Sequence, residues 1–203
     1  MQAGTSPTRV VRVGGVGKRE LRSRLESRGI KINAVGEALF AHDGFVTSEV
    51  SSLLETAEVT VASLGHAHGN TLAPIYESAR AIGLCLCPLE LGPHLRLQLL
   101  DPSEGRWVSP PSQRGAPPGS LTIASQPLTE DEDVPKGFYL HCIEGTLWLR
   151  GYRCGREHVW SPEDRFIFCR PPSPVCPVAP SDAPSEPLRA PTAVESGPPA
   201  SDC

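Results

Sequence analysis

The chain has 203 residues, a formal charge of −4 and 39% apolar residues, and it contains 22 prolines and 19 glycines. This length accommodates one ordinary domain, and the balance of charges gives no bulk electrostatic reason to bind nucleic acid or an anionic membrane. No apolar run approaches the roughly 18 residues that a membrane-spanning helix needs, which argues against insertion in a membrane.

The first eight residues are polar and lack the apolar stretch of a secretory signal. Seven cysteines is an odd number, and their spacings fit neither a disulfide framework nor a zinc site. Buried thiols that behave as small apolar side chains are the simpler interpretation. Together these features predict a cytoplasmic protein with reduced cysteines.

The N-terminal part predicts one strand and two helices. Residues 9–13 form a short apolar run that ends at two glycines, and residues 18–28 have the period of a helix that Gly29 ends. Residues 33–41 predict a second, short helix. The apolar residues of this helix that should face inward are Val35, Ala38 and Leu39.

The central part predicts strands and a helix. Residues 58–62 alternate as a strand does. A helix that Asn70 or Thr71 caps should run to residue 82. Short strands are expected at 84–86 and at 94–100, the latter because leucine occupies every second position from 95 to 99.

The C-terminal block has the most strand-forming sequence. Strands are predicted at residues 120–124, 138–143, 146–152, 159–160 and 165–169, and Glu144-Gly145 should form a hairpin turn between the second and the third. Seven of the eleven aromatic residues fall within residues 138–168, so the core should be densest there. The whole pattern predicts an α+β fold with N-terminal helices packed on a mostly antiparallel sheet.

Composition divides the chain into three parts. Residues 1–8 are a flexible N-terminus, residues 9–170 form one α+β domain, and residues 171–203 hold ten prolines and no aromatic residue. Such a tail cannot bury enough apolar area to offset the entropy of ordering it, so we expect it to be disordered. A long Pro-rich loop at 101–119 interrupts the domain, and Trp107 could anchor it.

The string Gly14-Gly15-Val16-Gly17-Lys18 follows a strand and precedes a helix, as a phosphate loop does. The phosphate-loop motif G-x-x-x-x-G-K-[ST] requires a glycine five residues before the glycine of the Gly-Lys pair and a hydroxyl residue directly after the lysine. With Gly17-Lys18 as that pair, this chain has Arg12 and Arg19 at these two positions. The string therefore predicts a glycine turn and not a nucleotide site.

Histidines near the middle of the chain raise the possibility of a metal site. His66 and His68 are separated by one residue and could share a zinc or iron ion with a carboxylate such as Asp43. The sequence does not place a third ligand, so a polar loop with incidental histidines is favoured. No cofactor is predicted.

The first helix carries a basic surface. Lys18, Arg19, Arg22 and Arg24 could contact phosphates of a nucleic acid, which would give binding that falls steeply with salt. Acidic residues at helical spacing from these side chains favour a solvated surface instead.

Four runs of sequence resemble a known family. They are PLELGPHLRL at 88–97, PKGFYL at 135–140, LWLRGY at 147–152 and HVWSPEDRFIF at 158–168. In these runs the chain is similar to a widespread group of small bacterial proteins that have no assigned function and that often carry the label helicase. The resemblance covers about residues 11–169 and implies no catalytic residues. The long loop at 101–119 and the Pro-rich tail depart from the family pattern.

Three classes of function remain open. A non-enzymatic binding domain is favoured, whose partner would be a protein or a small anionic ligand, because arginine suits carboxylate and phosphate recognition. The residues expected to line its site are His94, Arg96, Arg150, Arg153, His158 and Arg165. The alternatives are a small hydrolase that uses a metal or a His/acid set, and a nucleic-acid accessory factor that uses the first helix.

Overall fold

The computed structural model describes residues 8–101, 117 and 119–171, all of which lie in the first of two units, Met1–Pro172 and Ser173–Cys203. The first seven residues, most of the 101–119 loop with Trp107, and the Pro-rich tail from residue 172 onward lie outside the described residues. The predictions of a flexible N-terminus and a disordered tail therefore stay predictions.

The described residues form four α-helices and seven strands. The strands are β1 (Thr8–Val13), β2 (Lys31–Ile32), β3 (Ser52–Thr60), β4 (Leu121–Ile123), β5 (Gly137–Ile143), β6 (Thr146–Tyr152) and β7 (Arg165–Cys169). The helices are α1 (Lys18–Ser27), α2 (Ala34–Ala41), α3 (Leu72–Ala81) and α4 (Leu91–Gln98), and a 3₁₀ turn spans Ala62–Leu64.

All seven strands join one sheet in the order β1-β3-β7-β4-β5-β6-β2. The pairs β4–β7 and β2–β6 are parallel, and the other four neighbouring pairs are antiparallel. The predicted α+β class is confirmed. The sheet is mixed. Its strands β1, β2 and β3 come from the N-terminal half, where they alternate along the chain with helices α1 and α2.

The hairpin of β5 and β6 has the predicted turn. Glu144 and Gly145 have φ angles of 50° and 76°, the left-handed values that a two-residue type I′ turn requires. This turn sets the register in which Ile143 pairs with Thr146 and Gly137 pairs with Tyr152.

The sheet is covered on both faces, as the alternation along β7 shows. Ile167 packs into a core with α1, α2 and α4, whereas its neighbours Phe166 and Phe168 pack into a second core with α3. Neighbouring residues of a strand point to opposite faces, so the two cores lie on opposite sides of the sheet. The aromatic residues of 138–168 contribute to both cores, as their clustering predicts.

The strand predicted at 94–100 is wrong, because these residues form most of α4. Leu91, Leu95 and Leu99 are all buried, at the spacing of four that places them on one helical face. Pro93 lies in the first turn, where a helix tolerates proline. The spacing of the leucines fits the period of a strand and also that of a helix. Packing of the buried leucines against the sheet favours the helix.

Three other predictions need correction. Strand β3 begins at Ser52, well before the expected residue 58, and it ends at Thr60. In α2 the inward-facing residues are Gly36, Leu39 and Phe40, whereas Ala38 is exposed. The strands expected at 84–86 and 159–160 are isolated bridges made by single residues.

Candidate ligand-binding groove

Helix α4 is held against the end of β1 by two side chains one turn apart. The His94 Nε2 atom accepts a hydrogen bond from the Gly14 amide at 3.1 Å. The Gln98 side chain accepts from the Arg12 amide at 3.0 Å and donates to the Arg12 carbonyl at 2.8 Å. Because β1 is an edge strand, these side chains satisfy backbone groups that would otherwise be open to another chain.

A groove of about 540 Å³ lies where α1, α4 and the end of β1 meet. We call it the basic groove, because the described residues that line it include three arginines and no acidic residue. The residues that line it are Arg12, Gly14, Val16, Arg24, Ser27, Arg28, His94, Leu97 and Gln98. Its volume falls in the range of small-molecule sites.

The three arginines differ in how far their charges are neutralised. Arg24 is paired with Glu20, one helical turn away on α1. Arg28 donates to the Leu97 carbonyl at 3.3 Å, which leaves its charge without an acidic partner in the described part of the chain. The Arg12 side chain is exposed and contacts no acceptor among the described residues. Arg12 and Arg28, two of the residues that line the groove, thus carry positive charges that have no acidic partner among the described residues.

His94 is a neutral hydrogen-bond acceptor at this site. Burial lowers its pKa, and the Glu90 carboxylate, 3.9 Å from Nε2, opposes this effect only in part. Since Nε2 accepts from Gly14, the proton of the neutral ring belongs on Nδ1. Glu90 is itself committed to the preceding loop, where it accepts from the Ser48 amide at 3.0 Å and from the Ser48 hydroxyl at 2.6 Å.

In the glycine turn beside the groove, the first two amides are engaged within the fold. Gly14 and Gly15 have φ angles of 82° and 72°, and a Cβ added at Gly14 would collide with the Val50 carbonyl oxygen. The Gly15 amide donates to the Ser48 carbonyl at 2.8 Å, as the Gly14 amide does to His94. These bonds fit the prediction of a structural turn.

The structure does not gather the six predicted ligand residues at one site. His94 alone of the six lines the basic groove. Because α4 is a helix, Arg96 lies about 200° around it from His94, and it is buried with its guanidinium donating to the Leu99 carbonyl. The strand predicted at 94–100 would have placed these two residues on one face, and the helix separates them.

The other four predicted residues contact separate parts of the molecule. Arg150 lies over the Trp148 ring, 5.3 Å from its centroid, and Arg165 pairs with Glu58 across β7 and β3. The Arg153 side chain donates to the Asp133 carbonyl at 2.6 Å. His158 packs edge-on against Trp160, and burial lowers the pKa of its ring.

The proposed metal ligands make other contacts. The two ring nitrogens of His66 hydrogen-bond to Ser78 at 3.0 Å and Asn70 at 3.1 Å. His68 and Asp43 are exposed. Within residues 8–101, 117 and 119–171, no three His, Cys, Asp or Glu side chains are placed to hold a metal ion.

The basic side chains of α1 are largely engaged within the fold. Arg22 bonds Glu26 at 3.1 Å and also approaches Glu37 on α2, and Arg24 is paired with Glu20. The Lys18 ammonium donates to the His42 carbonyl and lies 5.7 Å from the centroid of the Phe45 ring. Arg19 is exposed. This partial neutralisation fits the solvated-surface interpretation.

A second pocket, of about 420 Å³, lies between α3 and the loops at 126–136 and 154–156. Its charges are mixed, with Glu77, Arg80 and Arg156 among the residues that line it. Burial raises the pKa of the Cys154 thiol in its wall to about 11, which opposes the thiolate form that a nucleophile needs. The buried Lys136 ammonium donates to the Thr129 and Asp131 carbonyls.

Sequence reasoning missed Arg12 and Gln98 as members of a site, whereas Arg28 belongs to the basic surface predicted for the first helix. Arg24 and Arg28 are four residues apart and hence on one face of a helix, a signal that the sequence does contain. Nothing in the sequence links Arg24 and Arg28 to Arg12. Helix α4 brings them together, and the leucine spacing in this segment also fits the strand predicted there.

No protein family matches this chain, and neither a curated protein nor a solved structure is similar to it at a significant level. The resemblance to small bacterial proteins therefore stays a prediction. None of the helices in the described residues combines the length and the apolar character needed to cross a bilayer.

Proposed function

We propose that the protein is a binding domain for a small ligand that carries a phosphate or carboxylate group, and that the basic groove is the site. The observation that carries this proposal is that Arg12 and Arg28 line a groove whose described residues include no acidic side chain, and that neither has an acidic partner in the part of the chain that the structure describes. A concave site lined by one sign of charge focuses the field and raises the local concentration of oppositely charged ligands.

The chemistry of the groove favours binding over catalysis. His94, its one histidine, uses Nε2 as an acceptor for the Gly14 amide and has a lowered pKa. The Ser27 hydroxyl donates to the Arg24 carbonyl at 2.9 Å. Among the described residues, no hydrogen bond joins the Ser27 hydroxyl to a base that would activate it as a nucleophile. Guanidinium groups, by contrast, match the planar oxygens of carboxylates and phosphates.

The test is to titrate the full chain with inorganic phosphate, pyrophosphate, citrate and a short single-stranded oligonucleotide. Calorimetry at two salt concentrations measures the binding. We expect saturable binding of one of the small anions, weakened about tenfold in Arg12→Gln and in Arg28→Gln. A loss of one well-placed charged hydrogen bond is worth about that factor.

Arg19→Gln is the matched control, because it removes the same charge from α1 at an exposed position that does not line the groove. It should leave the affinity for small anions unchanged. Equal loss in all three variants would show unspecific electrostatic attraction and would refute the groove. Binding of the oligonucleotide alone, with Arg19→Gln as damaging as the others, would favour the nucleic-acid function of α1 instead.

A further inference from the structure

Three cysteines from two distant parts of the chain lie together at the end of β7. Cys85 and Cys169 form an antiparallel bridge and exchange both backbone hydrogen bonds, at 2.8 and 2.9 Å. The Cα atoms of such a pair are about 5.5 Å apart, within the range of about 4.4–6.8 Å that disulfides span. Side chains directly opposite each other in a bridge project to the same side.

The third thiol, Cys87, stands on the same side, because residues two apart in extended chain share a face. Its Sγ atom donates to the Ile167 carbonyl at 3.3 Å. Burial raises the pKa of Cys87, so this thiol keeps its proton, and a hydrogen bond from it lowers the pKa of Cys169. Because Cys87 has one proton, its bond to Cys169 replaces the one to the Ile167 carbonyl when Cys169 is ionised, and Cys87 then stabilises the Cys169 thiolate.

The three thiols differ in their access to solvent. Cys85 is exposed, whereas Cys87 and Cys169 are 4% and 5% exposed. Where an exposed thiol stands beside a buried thiol whose pKa is lowered, a small oxidant reacts first at the surface and the buried thiol then resolves the product. The other described cysteines, Cys142 and Cys154, are both buried.

We propose that Cys85 and Cys169 form a reversible disulfide when the protein meets a hydroperoxide, with Cys87 as the positioning residue. The Cys85 thiolate attacks one peroxide oxygen and becomes a sulfenic acid, and the other oxygen leaves as water or, from an organic peroxide, as an alcohol. The Cys169 thiolate then attacks the Cys85 sulfur and displaces hydroxide, which takes a proton to give water. Two thiols are oxidised by two electrons, and one peroxide bond is reduced.

The experiment treats the full chain with hydrogen peroxide, blocks the remaining thiols and digests the protein with trypsin without reduction. Residues 81–96 form one peptide, which holds Cys85 and Cys87. Because Pro171 hinders cleavage after Arg170, Cys169 and Cys176 share a second peptide that begins at residue 166. We expect a cross-link between these two peptides, and fragmentation in the mass spectrometer should assign it to positions 85 and 169.

Variants then separate this disulfide from chance oxidation. Cys85→Ser and Cys169→Ser should abolish the cross-link, whereas Cys176→Ser and Cys142→Ser should retain it, with thermal unfolding as the check that each variant folds. A cross-link at Cys176, or oxidation that leaves separate sulfinic acids, would overturn the proposal.

The role of Cys87 has its own readout in dimedone, which traps the sulfenic acid before it is resolved. In Cys87→Ala the trapped fraction at Cys85 should rise about threefold, because fewer Cys169 thiolates attack it. Cys87→Ser keeps a donor and should trap about as much as the unchanged protein. Equal trapping in both variants would remove Cys87 from the mechanism. None of these outcomes depends on the basic groove.

Discussion

Asn33 uses its whole side chain to join α2 to β6. Its Oδ1 atom accepts from the Gly36 amide at 2.9 Å, which caps the helix, and from the Gly151 amide at 2.8 Å. Its Nδ2 atom donates to the Gly151 carbonyl at 3.0 Å. One residue thus satisfies a helix terminus and continues the backbone pairing of the short strand β2 along β6.

Asn33→Ala should therefore lower the free energy of unfolding by about 2–3 kcal/mol, since it removes a cap and leaves partly buried backbone groups without partners. Urea denaturation measures the change. Asn33→Asp keeps the acceptor but cannot donate, and we expect it to cost about 1 kcal/mol. If the two variants lose the same amount, the amide donor contributes nothing.

At the candidate site, single residues were partly foreseeable and their partners were not. The sequence singles out His94 and Arg24, and both line the basic groove. The acceptor role of His94 depends on Gly14, which is 80 residues away in the chain. The periodicity of a sequence describes residues a few positions apart and contains no information on such a contact. The groove therefore could not be predicted, because it depends on the packing of α4 on β1.

At the scale of elements, prediction succeeded where local chemistry decides. The hairpin of β5 and β6 has a turn sequence that tolerates two positive φ angles, and α1 and α3 have clear periods and glycines at their ends. It failed at α4, where leucines occur at spacings of two and of four, because local sequence is then ambiguous and tertiary packing determines the structure.

The packing of α2 against β6 depends on two glycines that face each other. A Cβ added at Gly151 would lie 2.6 Å from the Gly36 amide nitrogen and 2.7 Å from the Val35 carbonyl carbon. These atoms are backbone and cannot rotate away. Gly151→Ala should therefore push the helix off the sheet and cost more than about 2 kcal/mol, as chemical denaturation would measure.

Gly17→Ala is the matched control for this prediction. Gly17 is the N-cap of α1, has an ordinary φ of −73°, and leaves an added Cβ free of contacts within 4 Å. Its substitution should cost less than about 1 kcal/mol, because alanine is a poorer N-cap than glycine but loses less conformational freedom on folding. A cost at Gly17 equal to that at Gly151 would mean that the change reflects glycine in general and not the α2–β6 contact.

For the whole molecule, the two covered faces of the sheet leave several titratable groups in a poorly solvated environment. Burial is the largest cause of the lowered pKa of His94, His141 and His158, each from an ordinary value of 6.5. Burial acts in the opposite direction on Asp164, whose pKa rises from 3.8 to about 6. The histidines and the aspartate therefore give opposite contributions to the dependence of stability on pH.

A histidine whose pKa is lower in the folded than in the unfolded state binds its proton preferentially in the unfolded state. The stability that it contributes is therefore fully present above pH 6.5 and is lost as the pH falls. Asp164 binds its proton preferentially in the folded state, so it adds stability as the pH falls from about 6 towards 3.8. We expect the free energy of unfolding to decrease below pH 6.5, with Asp164 offsetting part of the loss.

Asp164→Asn isolates that offset, because the amide oxygen can still accept from the Ser161 amide, as the Asp164 carboxylate does at 2.7 Å. The variant should be at least as stable as the unchanged protein at pH 7, where it removes a buried charge. Its advantage should shrink as the pH falls to 4.5, since protonation then neutralises the aspartate in the folded protein. Urea denaturation at pH 7, 6, 5 and 4.5 measures both curves. Parallel curves would show that the Asp164 carboxyl titrates alike in the folded and unfolded chain, and the acid response would then belong to the histidines alone.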